Sequence, residues 1–440
     1  MAHNLGREQR ARSGASSRES TDVSAPRIQL PHCHGALDPA IRRSLVEHAA
    51  ADGFPLTGLL SRPPDRDPDV AILAMHPRVD FSRHYLVPYL VGAGYAFFGA
   101  TTRYLNHDAD ALHERLLLDV AGSIAYLRAQ GFGTVVLLGN SGGGSLFAYY
   151  LEQAATAPGE RAARAPSGDA VPLRTAALPA AEGLVLLAAH LGEGRFLQDR
   201  LDPSVVDETN PIATDPRLDM YDARNGYRPM GEGPSRYAPD FLAEFRAAQA
   251  ARCARLDALA REWCEEAAFF RAKEKAGERD PRIVRLARQR RYLLVYRTLA
   301  DPRYLDPTVD PSPRPLGSIF SFGRDPIAGN YGEGLARTMS ARGWLSTWSG
   351  LSSRAALERT LPAVTIPTLV IAALADMDIY PSEVRRSFDA SGAADTQYAE
   401  LPGAGHYLQP AGDEGARLAH PQERVAHQCI LPWLRERWPV

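Results

Sequence analysis

Between Thr134 and Gln153 the chain packs a strand, a reversal and a helix into one short stretch. Thr134-Val135-Val136-Leu137-Leu138 is apolar and rich in β-branched residues, which favour extended backbone. Gly139-Asn140-Ser141-Gly142-Gly143-Gly144 follows at once, and Ser145 to Gln153 then reads as a helix. A strand that feeds a helix through so few residues has to turn sharply. Glycines on both sides of the turn let strand and helix approach where side chains would collide. Ser141 then stands at the apex in a strained conformation, with its hydroxyl presented beyond the end of the strand. A glycine-rich turn of this kind can also cradle a phosphate or simply pack, so the rest of the chain has to decide what the serine does.

The remaining pattern places that turn in an α/β core. Short apolar runs alternate with amphipathic stretches, which is how a mostly parallel sheet with helices on both faces reads in sequence. Asp69 to Met75, Tyr95 to Gly99, Gly183 to Ala188, Ile366 to Ala372 and Thr396 to Leu401 are the further strands; Tyr85 to Val91, His113 to Ala129 and Gln422 to Arg437 are helices. Residues 156–181 show no period and read as an irregular surface insertion. From 192 to about 344 the pattern changes to helices and loops. Leu242, Phe245, Cys253, Leu256, Leu259, Trp263, Ala267 and Phe270 mark one face of a long helix, with Gln249 the single polar break. This stretch is far longer than a crossover requires, so it is expected to form a large, mainly helical cap over a core made of 28–191 and 345–440. Residues 1–27, polar and rich in Ser and Arg, are expected to be a disordered tail.

Composition excludes several classes. With 45% hydrophobic and 23% charged residues and a net charge of −2, the chain can build a large core. It offers no basic footprint for nucleic acid or an anionic membrane. No apolar run reaches the length that spans a bilayer. Cys33, Cys253, Cys264 and Cys429 show no pairing pattern, and a reduced, cytoplasmic protein is expected.

A serine hydroxyl is a poor nucleophile at neutral pH and needs a base, which in turn needs a carboxylate to orient it. With its Gly-x-Ser-x-Gly turn between strand and helix, the chain resembles the α/β-hydrolase superfamily, whose triad follows the order serine, acid, histidine. The resemblance covers about 44–188 and about 344 to the end. It implies that Ser141 is the nucleophile and that the acid lies just after the strand ending at Ala372, where Asp376 and Asp378 compete. In similar sequences the acid precedes the helix-starting proline, here Pro381, by four or five residues, which favours Asp376. His406, in the loop Leu401-Pro402-Gly403-Ala404-Gly405-His406-Tyr407, matches the family's base, ahead of His420 and His427. The Gly142 N–H matches one oxyanion donor. The second usually comes from a His-Gly loop, but here the loop is His76-Pro77-Arg78; proline has no N–H, so the amide of Arg78 is expected to serve.

The resemblance implies hydrolysis of a carboxylic ester, with thioester, amide and carbon–carbon bond cleavage sharing the same triad, and a non-catalytic ligand-binding member of the fold as the minor alternative. No cofactor and no metal are expected. Asp215, Asp219, Asp222 and Asn225 lack the alternating spacing of a calcium loop and are read as turn residues, and His32-Cys33-His34 has no second ligand cluster. The aromatics of the cap (Phe241, Phe245, Trp263, Phe269, Phe270, Tyr292 and Tyr296, with Trp344 and Trp348) suggest a small-molecule substrate with an apolar acyl or alcohol group. The Arg-rich face of the long helix is read as solvated, with an oligomer contact through the cap as the minority reading.

Overall fold

The computed structural model describes residues 31–105, 107–321 and 326–440; the expected tail, 1–27, lies outside them. The core is a sheet of eight strands. β1 (Arg42–Ala49) and β2 (Pro55–Arg62) form an antiparallel hairpin at one edge. β3 (Val70–Ala74), β4 (Ala96–Ala100), β5 (Thr134–Asn140) and β6 (Gly183–Leu187) follow. β7 (Tyr292–Leu294) and β8 (Thr338–Ser340) pair separately within the insertion, and β9 (Thr368–Ala373) and β10 (Thr396–Leu401) complete the sheet. The sheet order is β1-β2-β4-β3-β5-β6-β9-β10, with every pairing from β4 to β10 parallel.

The central strands are apolar throughout because both faces are covered. In β3, Ala71 and Leu73 face one apolar cluster while Val70, Ile72 and Ala74 face the other. The first cluster holds α2 (His113–Ala129) and α3 (Gly142–Ala155); the second holds α1 (Val87–Gly92) and the C-terminal helical region. That region, expected as one helix over 422–437, is Pro421–Val425, a wide π turn at Ala426–Ile430, and Leu431–Arg437. Pro432 lacks the N–H that a regular helix would send back four residues, and the ladder shifts there. Residues 156–181 contain two short 3₁₀ turns and no strand.

Between β6 and β9 the chain leaves the sheet through α4 (Glu193–Gln198) and builds a large helical insertion around α5 (Pro239–Lys275). Pro239 opens α5 where its missing N–H costs nothing. Gly277, at φ +102°, ends it: the Glu278 and Gly277 amides bond back to Lys273 and Glu274. Gln249, the break in the apolar stripe, is buried and donates to the carbonyls of Asp199, Leu201 and Ala300 at 2.8 to 3.0 Å. It closes the loop that carries the chain away from the core. Among the described residues no helix is long and apolar enough to cross a membrane.

Candidate active site

β5 delivers Ser141 at φ 55°, ψ −125°, a conformation that a non-glycine residue holds only at a cost of about 1–3 kcal/mol. Close packing fixes it. A Cβ on Gly139 would fall 2.6 Å from the Cα of Gly144, and one on Gly143 would fall 2.4 Å from the carbonyl oxygen of Met75. Asn140, on which the sequence is silent, is buried and braces the turn: its Nδ2 donates to Leu187 O at 2.8 Å, and its Oδ1 accepts from Tyr85 Oη at 3.2 Å. α3 starts at Gly142, three residues ahead of the expected Ser145, so its first N–H groups, without partners inside the helix, sit beside the serine.

The structure brings Ser141, His406 and Asp376 into one chain of hydrogen bonds. His406 Nε2 lies 3.0 Å from Ser141 Oγ, and His406 Nδ1 lies 2.8 Å from Asp376 Oδ2. The other Asp376 oxygen accepts the amides of Asp378 and Ile379 at 2.9 and 3.0 Å, which holds the carboxylate toward the ring. All three side chains are buried. Burial disfavours the charged imidazole, but the Asp376 carboxylate outweighs it and raises the His406 pKa above the ordinary value of 6.5.

Asp378 is turned away from His406. It accepts from Tyr304 Oη at 2.7 Å, Ser318 Oγ at 3.1 Å and the Ile319 amide at 2.7 Å, and the Arg200 guanidinium lies 3.9 Å off. Burial raises its pKa, with Arg200 opposing. It fastens the insertion to the loop that presents Asp376. His420 and His427 are both exposed on the C-terminal helices.

Arg78 departs from its expected place. Its amide and that of Val79 both point at His76 Nδ1, at 3.2 and 3.1 Å, so the expected second oxyanion donor is engaged within its own turn. Its guanidinium lies over the Trp348 ring and 4.0 Å from Asp108. Because His76 Nδ1 accepts, its ring proton sits on Nε2. His190 is alike, with Nδ1 accepting the Gly192 amide at 3.1 Å. Burial first, then the neighbouring Arg78 in one case and His406 in the other, hold both rings well below the ordinary pKa, and so neutral. Both Nε2 atoms and Glu193 crowd Gly142: a Cβ there would meet Glu193 Oε1 at 2.4 Å, His76 Nε2 at 2.9 Å and His190 Nε2 at 3.2 Å.

The eight-strand order, the serine turn after β5, the carboxylate after β9 and the histidine after β10 form one pattern. The chain is an α/β-hydrolase-fold protein. No protein-family model matches the sequence, and no curated protein matches it either. Solved structures of this fold do. The α/β hydrolase GrgF from Penicillium sp. sh18 aligns over 91% of this chain and 100% of its own, at 13% identity and TM-score 0.47. The esterase domain of a Rhodothermus marinus protein aligns over 90% and 98%, at 12% identity and TM-score 0.41. A putative dipeptidyl aminopeptidase IV from Bacteroides ovatus ATCC 8483 aligns over 90% of this chain and 36% of its own, at 10% identity and TM-score 0.40.

The pocket over Ser141 is walled by Phe196, Ile319, Phe320, Leu335 and Tyr407, with His76, Arg78, His190 and Glu193 as its polar side. The aromatics expected to face the substrate pack elsewhere. Phe241 and Phe245 belong to a cluster with Met220 and Tyr237, Trp263, Trp344 and Trp348 to another around Cys253, while Phe269 and Tyr292 are exposed. Aromatics at helical spacing here hold the insertion together. The carboxylates of Asp215, Asp219 and Asp222 accept backbone amides two residues on, as turn residues do.

Proposed function

We propose that the protein is a serine hydrolase that cleaves a carboxylic ester through an acyl-enzyme. The observation that carries this reading is the continuous hydrogen-bonded run from Ser141 Oγ through His406 to Asp376. His406 Nε2 accepts the Ser141 proton as Oγ attacks the carbonyl carbon, and Asp376 keeps the proton of Nδ1 and stabilises the imidazolium that forms. The Gly142 amide, at the N-terminus of α3, faces the developing oxyanion. His406 returns the proton to the leaving alcohol, and a water activated by the same nitrogen releases the acid. The apolar walls of Phe196, Ile319, Phe320 and Leu335 suit an aliphatic or aromatic acyl or alcohol group.

Initial rates on a panel of esters, thioesters and amides of graded acyl length test the reading. Esters should turn over fastest, and Ser141→Ala should lose at least about a thousandfold in kcat. A panel on which amides or thioesters dominate would reassign the bond, and equal rates for the wild type and Ser141→Ala would remove the reaction from this site.

A further inference from the structure

Glu193 stands in the pocket wall, and the proposed reaction does not use its chemistry. It is the first residue of α4, just past β6, and is 1% exposed. Its Oε1 has no hydrogen-bond partner among the described residues and lies against Gly142, next to the nucleophile. Its Oε2 is 3.6 Å from His190 Nε2, beyond hydrogen-bond range. A buried carboxylate oxygen left without a donor is expensive, and a protein keeps one where a ligand completes it.

The geometry points to Glu193 as a substrate-recognition residue, its free Oε1 accepting a hydrogen bond from a hydroxyl or ammonium group close to the scissile carbonyl. This rests on the hydrolase reading above. The other polar groups at this corner cannot do the same work: the Nε2 atoms of His76 and His190 carry protons, and Arg78 is cationic, so all three donate. Glu193 is the acceptor among them. A wholly apolar ester would leave it unpaired, whereas a substrate with one donor beside the carbonyl would pair it.

The charged and titratable groups that face Glu193 are His190 on its own loop, His76 and Arg78 from the loop after β3, Asp108 before α2, and His406 and Tyr407 from the loop after β10. Burial outweighs Arg78 and pushes its carboxyl up to about 6 from 4.5. A carboxyl whose pKa rises on folding destabilises the protein above that window and has no effect below it.

Benzyl esters of propionic acid, lactic acid and alanine differ in carrying hydrogen, hydroxyl or ammonium beside the carbonyl; propyl and 2-hydroxyethyl acetate place the same contrast on the alcohol side. The wild type should favour donor-bearing esters on one side by about tenfold or more in kcat/KM, and Glu193→Leu should erase that preference. Glu193→Gln sorts the donors: a hydroxyl preference survives it, and an ammonium preference does not. Equal turnover across the series in the wild type, or a preference that persists in Glu193→Leu, overturns the proposal. Thermal melting tests the residue apart from turnover. Glu193→Leu should melt a few degrees higher at pH 8, with the difference gone below about pH 4.5; a lower Tm at pH 8 would make Glu193 structural and also overturn the proposal. If no ester in either series turns over while Glu193→Leu still melts higher, the hydrolase reading has failed and the unpaired carboxylate stands.

Discussion

At the scale of single residues, two carboxylates two positions apart have opposite duties. Asp376 faces His406, and Asp378 faces Tyr304, Ser318, Ile319 and Arg200. Asp376→Asn should therefore lower kcat by about 10⁴, because an amide no longer fixes the imidazole tautomer, and leave the melting temperature within a few degrees. Asp378→Asn should do the reverse, keeping most of the turnover and costing about 3 kcal/mol in urea unfolding, since Arg200 is left buried beside a neutral group. The pH profile belongs to His406. Its protonated form cannot accept from Ser141, and Asp376 holds its pKa above 6.5. So kcat/KM should rise with pH, with a midpoint above 6.5, and level off beyond; a midpoint well below 6.5 would place another group in control. The nucleophile, the base and the preference for Asp376 were legible in sequence because motif and chain order carry them. The Arg78 amide was not, because only the folded loop shows that His76 Nδ1 captures it. Glu193 and Asn140 left no sequence signal; Asn140 acquires its meaning from partners far along the chain, and Glu193 from the pocket the fold builds around it.

At the scale of elements, legibility followed burial. β3, β4, β5, β6 and β9 are covered on both faces and read as continuous apolar runs. The hairpin of β1 and β2 is not legible in sequence because β1 is largely exposed and the pair interrupts its apolar residues with Arg, Glu, His and Thr. α5 was legible from its three- and four-residue steps, and the break at Gln249 proves to be a clamp on three loop carbonyls. The turn at Ser141 is the element under the tightest constraint. Gly143→Ala would push a methyl to 2.4 Å from the Met75 carbonyl, which is backbone and cannot swing aside. The cost should exceed about 2 kcal/mol, seen as a drop in thermal stability together with loss of activity; a stable, fully active Gly143→Ala would refute this account of the turn.

At the scale of the whole molecule, the insertion and the core meet through buried polar groups. Arg303 pairs with Asp301 at 2.8 Å within the insertion and with Glu383 at 2.7 Å on the helix Pro381–Asp389. Arg246 and Arg303 hold the buried Asp301 carboxyl far below its ordinary pKa, against the upward push of burial. Together with Tyr304 and Ile319 on Asp378, these contacts flank the loop that carries Asp376, so the insertion fixes one member of the proposed triad as well as walling the pocket. Its two apolar clusters take up Phe241, Phe245, Trp263, Trp344 and Trp348, aromatics that composition alone assigned to the substrate. Ser141 is proposed as an activated nucleophile, and covalent labelling by a fluorophosphonate, read as intact mass, probes that reactivity at the residue itself. The wild type should take up one equivalent, mapped to Ser141, and Ser141→Ala should take up none. An unlabelled wild type, or a Ser141→Ala variant labelled as fully as the wild type, would contradict it.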